Sequence, residues 1–195
     1  MSPGSSVLEH IRERFSDHVL ETLSFKGDDT VVVERDALLS LMRFLRDDPE
    51  MSFDFLMDVT AVDWLEREPR YEVVYHLYSS AKNRRLRVKT RVPDDDPEVE
   101  TVTGIWKGAN WFEREVWDMY GIKVKGHPDL RRILMYDGFE GHPLRKDYQK
   151  DLRHPTVPSL DFPDPQKDVR RVIKATDLMR GSGREKGARE PEKDT

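Results

Sequence analysis

Three carboxylates, Glu113, Glu115 and Asp118, lie within six residues of one another. Two neighbouring carboxylates can perform general acid–base catalysis when one is held protonated and the other ionised. His127, in a Gly-His-Pro sequence nine residues after Asp118, is a further candidate for proton transfer. One hypothesis is therefore a stand-alone acid–base enzyme that uses Glu113, Glu115 and His127.

No other catalytic motif accompanies these carboxylates. The sequence contains no glycine-rich phosphate loop, no HExxH pair and no serine in a nucleophile elbow. It has no cysteine, which excludes disulfides, thiolate zinc sites, cysteine-ligated iron–sulfur clusters and thiol nucleophiles. The six histidines never pair at helical spacing, so a metal site would need ligands from distant segments. These absences favour a structural use of the carboxylates.

The carboxylates belong to a predicted half-buried helix over residues 111–120, with Asn110 as its cap and Glu113 closing a capping box. Arg114 and Asp118 are spaced as i, i+4 partners. Buried charges persist only when they are paired. We therefore expect the helix carboxylates to accept hydrogen bonds from arginines of the following segment, such as Arg131, Arg132 and Arg145.

The elements before this helix predict a two-layer α+β domain over residues 1–120. Apolar periodicity and turn signals give the order α-β-β-α-β-β-β, followed by two helices. The predicted ranges are a helix at 7–15 with a capping box at Ser6 and Glu9, strands at 19–25 and 30–34, a helix at 37–47, strands at 53–64, 71–78 and 86–92, and helices at 97–107 and 111–120. Asp96 is expected to cap the helix that begins at Pro97.

Four basic residues share one face of the predicted strand at 86–92 and raise a binding alternative. They are Arg85, Arg87, Lys89 and Arg91. Such a row could bind an acidic partner or a phosphate backbone, as in an RNA-binding module. It could equally be a solvated face with acidic neighbours across the sheet. The net charge of −5 and the lack of paired aromatic stacking motifs on the strand favour the solvated face over a nucleic-acid partner.

Residues 121–180, here called the arm, change character. They are rich in proline and glycine, which predicts irregular structure, yet they carry apolar anchors such as Phe139, Leu144 and Tyr148. An irregular segment with such anchors usually lies on another surface, either of its own domain or of a partner. Residues 181–195 are small and charged and are predicted to be a disordered tail.

The helix and the start of the arm together resemble the signature of a known family. The order is Glu-Arg-Glu, two residues, Asp-Met-Tyr, six residues, His, three residues, Arg, one residue, Ile-Leu. It runs through Glu113, Arg114, Glu115, Asp118, Met119, Tyr120, His127, Arg131, Ile133 and Leu134. This pattern resembles the small hydrophilic subunit of NADH–quinone oxidoreductase (respiratory complex I) that is lettered C in bacteria and called the 30-kilodalton subunit in mitochondria. A second match follows at Gly141, His142, Pro143, Leu144, Arg145, Asp147 and Tyr148.

The resemblance implies a structural subunit with no catalytic, cofactor or metal residues of its own. In that family the flavin (FMN) and iron–sulfur clusters belong to partner subunits, which agrees with the absence of cysteine here. The implied partners are the large quinone-site subunit, lettered D in the same complex, and also subunits B and I, with no nucleic acid. The signature residues are the expected interface with these partners.

The same resemblance implies a place in the cell. The subunit would belong to the peripheral arm of a proton-pumping enzyme that passes electrons from NADH to quinone. It would lie on the cytoplasmic side of a bacterial inner membrane and touch the membrane only through the complex. No transit peptide is evident, which favours a bacterium, and no apolar run is long enough to span a bilayer. The alternative is the equivalent subunit of a complex I-related membrane-bound hydrogenase.

Overall fold

The computed structural model describes residues 3–149, with side chains from Val7 onward. The described elements are, in chain order, α1 (Pro3–Phe15), β1 (Val19–Phe25), β2 (Asp28–Val33), a 3-10 turn (Arg35–Ala37), α2 (Leu38–Asp47), β3 (Phe55–Asp63), β4 (Tyr71–Ser79), β5 (Arg84–Val92), β6 (Glu98–Glu100), α3 (Ala109–Tyr120) and β7 (Lys123–Lys125). The predicted tail at 181–195 and the part of the arm beyond residue 149 lie outside the described residues.

Five strands form one mixed sheet in the order β1-β2-β5-β4-β3. β1 and β2 form a hairpin, as the turn residues Lys26-Gly27-Asp28-Asp29 between the predicted strands indicate. Its two-residue turn places Lys26 and Gly27 at positive φ, as tight hairpins require. β2 pairs with β5 in parallel, and the other neighbours are antiparallel. The α+β class is therefore confirmed.

Apolar stripes attach the helices to one face of this sheet. α2 buries Leu38, Leu41, Met42 and Leu45, the stripe that the i, i+3, i+4, i+7 spacing predicts. α1 buries Val7, Leu8 and Ile11 in the same core. α1 begins at Pro3, so the predicted capping box at Ser6 is wrong. The other sheet face carries the basic residues of β5 and is not covered by these helices.

The predicted helix over residues 97–107 is wrong. Residues 98–100 form β6, which pairs in parallel with β7 of the arm, and turns follow up to α3. Val99, Val102 and Trp106, whose spacing matches one face of a helix, are buried, but from a strand and turns. Asp96 caps no helix, because β6 follows it instead. Its carboxylate accepts a hydrogen bond from the Arg35 guanidinium at 2.8 Å. A three-residue strand stabilised by a distant partner leaves no local periodic signal.

Candidate functional site

α3 buries charged and apolar side chains together. Its buried residues are Ala109, Glu113, Arg114, Val116, Asp118 and Met119. α3 begins after Gly108 with no side-chain cap, so the predicted capping by Asn110 and Glu113 is wrong. Trp111 and Glu115, one helical turn apart, are exposed instead. Buried charge on this scale requires partners, and the arm and the loop after β6 provide most of them.

The Asp118 carboxylate forms the centre of the junction between α3 and the arm. Its Oδ2 accepts the backbone N–H groups of Ile133, Leu134 and Met135 at 3.0, 2.8 and 2.9 Å. Its Oδ1 accepts Nη1 of Arg132 at 2.6 Å. Three consecutive N–H groups on one carboxylate oxygen bend the arm around the Asp118 side chain. We call these contacts the Asp118 cradle.

The cradle favours the charged form of Asp118. Burial by itself raises the pKa of the Asp118 carboxyl, but the three N–H donors and Arg132 outweigh it and hold the pKa below its ordinary value. Arg132 also donates from Nη2 to the carbonyl oxygens of Phe139 and Gly141, which ties a later turn of the arm to the same point. The expectation that an arm arginine pairs with a carboxylate of this helix is thus confirmed for Asp118.

Arg114 holds the same stretch of the arm from its other side. Its Nε and Nη2 donate to the carbonyl oxygens of Arg131 and Arg132 at 3.0 and 2.9 Å. The predicted i, i+4 pairing of Arg114 with Asp118 is therefore wrong. Each side chain instead binds the arm backbone, Arg114 through carbonyl oxygens and Asp118 through N–H groups.

Gly121 and His142 meet where α3 ends. Gly121 has φ +79° and closes the helix in the left-handed conformation that glycine adopts without strain. A Cβ on Gly121 would lie 2.6 Å from Cδ2 of His142. The His142 Nδ1–H donates to the backbone carbonyl of Asp118 at 2.9 Å, and the Leu144 N–H donates to the carbonyl of Met119 at 3.0 Å. The second half of the signature therefore covers the C-terminal end of α3.

Glu113 is buried away from the arginines. Its Oε2 accepts the Thr101 hydroxyl at 2.6 Å and its Oε1 accepts the Val102 N–H at 2.7 Å. The expectation that an arm arginine pairs with Glu113 is therefore wrong. Burial raises the pKa of Glu113 to about 7 despite these two hydrogen bonds. Glu113 attaches α3 to the loop after β6.

His127 lies beside Glu113 with a fully buried side chain, and Nε2 is 3.9 Å from Glu113 Oε2. Its Nδ1 accepts the Asp129 N–H at 3.0 Å, so Nε2 carries the proton and donates to the Asn110 carbonyl at 3.0 Å. Both ring nitrogens are thus used by the backbone of this chain. His127 holds the turn at the start of the arm against α3.

The Glu115 side chain is exposed and makes no hydrogen bond or ion pair with any residue of the described range 7–149. The expectation that Arg131, Arg132 or Arg145 pairs with this carboxylate is therefore wrong. Arg131 pairs with its neighbour Asp129 instead, Nε to Oδ2 at 2.8 Å. Tyr120 lies half-buried near Glu115, and burial is the main cause that raises the pKa of its phenol.

A second charged cluster, which we call the Arg70 network, fixes the later part of the arm to the sheet. The buried Arg70 donates from Nε and Nη2 to both oxygens of Asp63 at 2.9 and 2.8 Å. Its Nη1 also donates to Asp94 and Asp147, each at 3.0 Å. Arg145 binds Asp94 at 3.0 Å rather than any carboxylate of α3, so that expectation is wrong as well.

The Arg70 network keeps its central carboxylate ionised. Burial opposes the charged form of Asp63, but Arg70 and the N–H groups of Lys146 and Leu65 hold its pKa far below the ordinary value. The Lys146 N–H reaches Asp63 Oδ2 at 2.7 Å, which fixes the arm backbone directly. Gly141 at φ +84° lets the Tyr148 ring approach within 2.8 Å of a Cβ position, so the turn before Pro143 folds onto Tyr148.

Several residues of these clusters carried no recognisable signal in the sequence. Arg70 and Asp63 belong to strand ends seven residues apart and looked like ordinary surface charges. Asp94 was hidden in a run of aspartates that has the composition of a turn. Gly121 was the exception, because a glycine directly after a periodic helix is a recognised stop signal. The partners of the others are set by tertiary folding alone.

Within residues 7–149, no group of three or more histidine, aspartate or glutamate side chains could hold a metal ion. No helix of the described part is long and apolar enough to cross a membrane.

Comparison with known proteins places this geometry in a family. The model of the family described as "Respiratory-chain NADH dehydrogenase, 30 Kd subunit" matches residues 31–154. The chain belongs to this family. The match includes both halves of the signature and most of the sheet, so the signature contacts described above are those of a 30-kilodalton subunit family member.

Relatives and solved structures of the 30-kilodalton family agree with the match. The chain is 49% identical over 144 residues to the NADH-quinone oxidoreductase subunit lettered C of Roseiflexus sp. (strain RS-1), covering 74% of this chain and 83% of the relative. It is 50% identical over 138 residues to the subunit lettered C 2 of Rhizobium etli (strain CIAT 652), covering 71% and 73%. A trypsin-resistant fragment (1–134) of Nqo5 superposes with a TM-score of 0.57 at 34% identity, covering 65% of this chain and 98% of the fragment.

A second solved structure belongs to a different membrane complex. A chain of the membrane-bound sulfane sulfur reductase (MBS), an archaeal respiratory membrane complex, superposes with a TM-score of 0.65 at 27% identity. The similarity covers 75% of this chain and 86% of that one. The 30-kilodalton fold is therefore similar to a chain of a related respiratory membrane complex.

Proposed function

We propose that this chain is a cofactor-free structural subunit of the peripheral arm of a proton-pumping NADH–quinone oxidoreductase. It packs against the large quinone-site subunit and lies near subunits B and I. It sits on the cytoplasmic side of the bacterial inner membrane and meets the membrane only through the complex. The names of relatives that are 43–50% identical support this proposal.

The observation that carries the proposal is how the signature residues are used. Asp118 and Arg114 bind the arm backbone, and His127 spends both ring nitrogens on backbone groups. Glu113 is occupied by Thr101 and Val102. A general acid or base must reach a substrate proton directly or through one water. Side chains that are buried and already bonded to their own chain suit a structural role better than proton transfer.

The same junction presents large apolar side chains to solvent, as a docking surface would. Trp111 is 70% exposed, Leu134 56% and Leu144 47%. Trp111 lies on α3, and the other two belong to arm segments hydrogen-bonded to α3. Tryptophan is enriched among the residues that contribute most to protein interfaces. We place the contact with the quinone-site subunit on this surface, with Glu115 available for a basic group of the partner.

Co-purification tests the docking surface. Trp111→Ser should lower the recovery of the quinone-site subunit with the tagged chain at least tenfold, because the side chain is exposed and its loss leaves the fold intact. Leu20→Ser, at a 50% exposed position of β1, is the matched control and should not change recovery. Unchanged recovery with Trp111→Ser would remove this surface from the proposal. A wild-type chain recovered without any quinone-site subunit would contradict the proposal as a whole.

The absence of a cofactor is a separate part of the proposal. The purified chain should be colourless in the visible range and free of stoichiometric metal. Elemental analysis and an absorption spectrum measure both. Iron, zinc or flavin present at one equivalent per chain would show that this subunit has a site of its own.

The equivalent subunit of a complex I-related membrane-bound hydrogenase is the second candidate, because the likeness to a chain of the sulfane sulfur reductase complex shows that this fold also occurs outside NADH–quinone oxidoreductases. The two candidates differ in the electron donor. A purified complex that contains flavin and oxidises NADH supports the first, and one that oxidises hydrogen without NADH activity supports the second.

A further inference from the structure

The face of the sheet that α1 and α2 leave uncovered contains one arginine whose side chain has no partner within the described residues 7–149. Lys89 binds Glu72 at 2.9 Å, Arg91 binds Glu21 at 3.0 Å, and Arg87 donates to Thr30. These contacts confirm that β5 has acidic and polar neighbours across the sheet. The exception is Arg85, whose side chain is exposed and makes no ion pair or hydrogen bond with any residue of that range.

Arg85 lines three adjoining crevices at the end of the sheet where the β4–β5 turn lies. Their volumes are about 260, 190 and 400 Å³. The largest has mostly apolar walls and contains Phe55, Met57 and Tyr78. Phe55 is 57% exposed and Met57 41% exposed. The three crevices form one groove with an apolar end and a cation beside it, here called the Arg85 groove.

The spacing within the groove follows from the strand register. Arg85 pairs with Tyr78, and Tyr78 pairs with Phe55 on the next strand. Neighbouring strands lie about 4.8 Å apart, so the backbones of Arg85 and Phe55 are about 10 Å apart. An extended chain advances about 3.3 Å per residue and covers that distance in about three residues.

We propose that the Arg85 groove binds an extended segment of a partner subunit that carries an acidic residue and, two to four residues away, a large apolar residue. The acidic side chain pairs with Arg85, and the apolar one covers Phe55 and Met57. This interface lies on the opposite side of the sheet from α3, so the chain would be held between two partner surfaces. It rests on the proposed function, because the partner is another subunit of the same complex.

Charge distinguishes a protein segment from the other anionic partners. A nucleic acid or an anionic membrane is bound by several basic residues together. The other basic residues on this face of β5, Arg87, Lys89 and Arg91, are already bonded to their own chain. Asp28 and Asp54, which line the same crevices, would repel a polyanion. A single acidic side chain that pairs with Arg85 faces less of this repulsion than a polyanion does, and the apolar residue beside it carries no charge.

Charge reversal in the intact complex tests the groove. Arg85→Glu should lower the fraction of assembled complex at least tenfold in native electrophoresis. Arg43→Glu, at an exposed position of α2, is the matched control and should assemble like the wild type. Equal assembly of the two variants would overturn the groove proposal while leaving the docking surface on α3 untouched.

A photo-cross-linking amino acid in place of Phe55, introduced in the assembled complex, identifies the partner. The expected product joins Phe55 to an apolar residue of another subunit with an aspartate or glutamate two to four residues away. Changing that acid to arginine should restore assembly with Arg85→Glu. Cross-links only to lipid, to nucleic acid or to a second copy of this chain, or no cross-link at all, would overturn the proposal. A wild-type chain that assembles with no other subunit would overturn both this proposal and the proposed function.

Discussion

Arg132 and Asp118 form a partly buried ion pair, with Nη1 and Oδ1 2.6 Å apart, that joins the arm to the last turn of α3. The Asp118 side chain is completely buried, and its other oxygen accepts three consecutive backbone N–H groups. Breaking a buried pair typically costs about 3–5 kcal/mol, because the remaining charge is left uncompensated. The most informative substitutions therefore concern this carboxylate.

Asp118→Asn should release the arm from α3. An amide can present only one acceptor oxygen, so its NH₂ group would face either the three N–H donors or Arg132. Hydrogen exchange at the amides of Ile133, Leu134 and Met135 should become at least a hundredfold faster. Glu115→Gln is the control on the same helix, because Glu115 is exposed and should leave this exchange unchanged. Equal protection in Asp118→Asn and wild type would show that the cradle contributes little.

Glu113→Gln should change how stability depends on pH. The folded-state pKa of Glu113 is raised from 4.5 to about 7, so the folded state binds more protons and the wild type loses stability as pH rises between these values. Glutamine keeps the acceptor for Val102 and has no charge to bury. The free energy of unfolding of the variant, relative to that of the wild type, should therefore rise by about 3 kcal/mol between pH 4.5 and pH 8.

Urea unfolding at several pH values measures this difference. Asp63 and Asp118 act with the opposite sign, since their pKa values are lowered and their stabilisation is lost as pH falls through those values. That loss is shared by wild type and Glu113→Gln, so it cancels in the comparison. A constant difference between the two proteins across this pH range would contradict the raised pKa.

Gly121→Ala should destabilise the end of α3 for two reasons. The residue has φ +79°, and the added methyl group would lie 2.6 Å from the His142 ring. We expect a loss of about 1–3 kcal/mol in the free energy of unfolding. Gly104→Ala is the matched control, because nothing lies within 4 Å of its Cβ position and its φ is not in the left-handed region. A His142→Ala background should recover part of the loss, and no recovery would argue against the clash.

Arg70→Lys should weaken the attachment of the arm to the sheet although the charge is kept. Lysine cannot reproduce the two-pronged contact with Asp63 while also reaching Asp94 and Asp147. The free energy of unfolding should fall by about 2–4 kcal/mol, near the cost of breaking a buried pair. Arg67→Lys, at an exposed position three residues earlier, should cost less than about 0.5 kcal/mol. Similar values for the two variants would contradict the account of the Arg70 network.

The sequence predicted what is local and periodic. The α2 stripe of Leu38, Leu41, Met42 and Leu45 is buried as its spacing predicts, and the β1–β2 hairpin follows its turn residues. The prediction failed at Val99, whose helical spacing with Val102 and Trp106 indicated a helix where β6 forms. β6 pairs with β7, more than twenty positions away, and a local pattern carries no information about such a distant partner.

The same distinction applies within the site. The pairing of a buried helix carboxylate with an arm arginine was predictable from charge alone, and it is confirmed for Asp118 with Arg132. Which carboxylates are buried was not predictable, since Glu113 faces the loop after β6 and Glu115 faces solvent. The role of Arg70 could not be predicted, because its three aspartates come from the end of β3, the segment after β5 and the arm, which only the folded chain brings together.

The central claim is that this chain contributes assembly and no chemistry to an NADH–quinone oxidoreductase. The most direct measurement is NADH–quinone turnover per bound flavin, together with the amount of assembled complex, in Asp118→Asn and Glu113→Gln. Asp118→Asn should lower assembly at least tenfold, and both variants should keep turnover per assembled complex within about twofold of wild type, because neither carboxylate handles a substrate proton. Full assembly with turnover reduced a hundredfold in Glu113→Gln would contradict the structural role and support an acid–base function for this carboxylate.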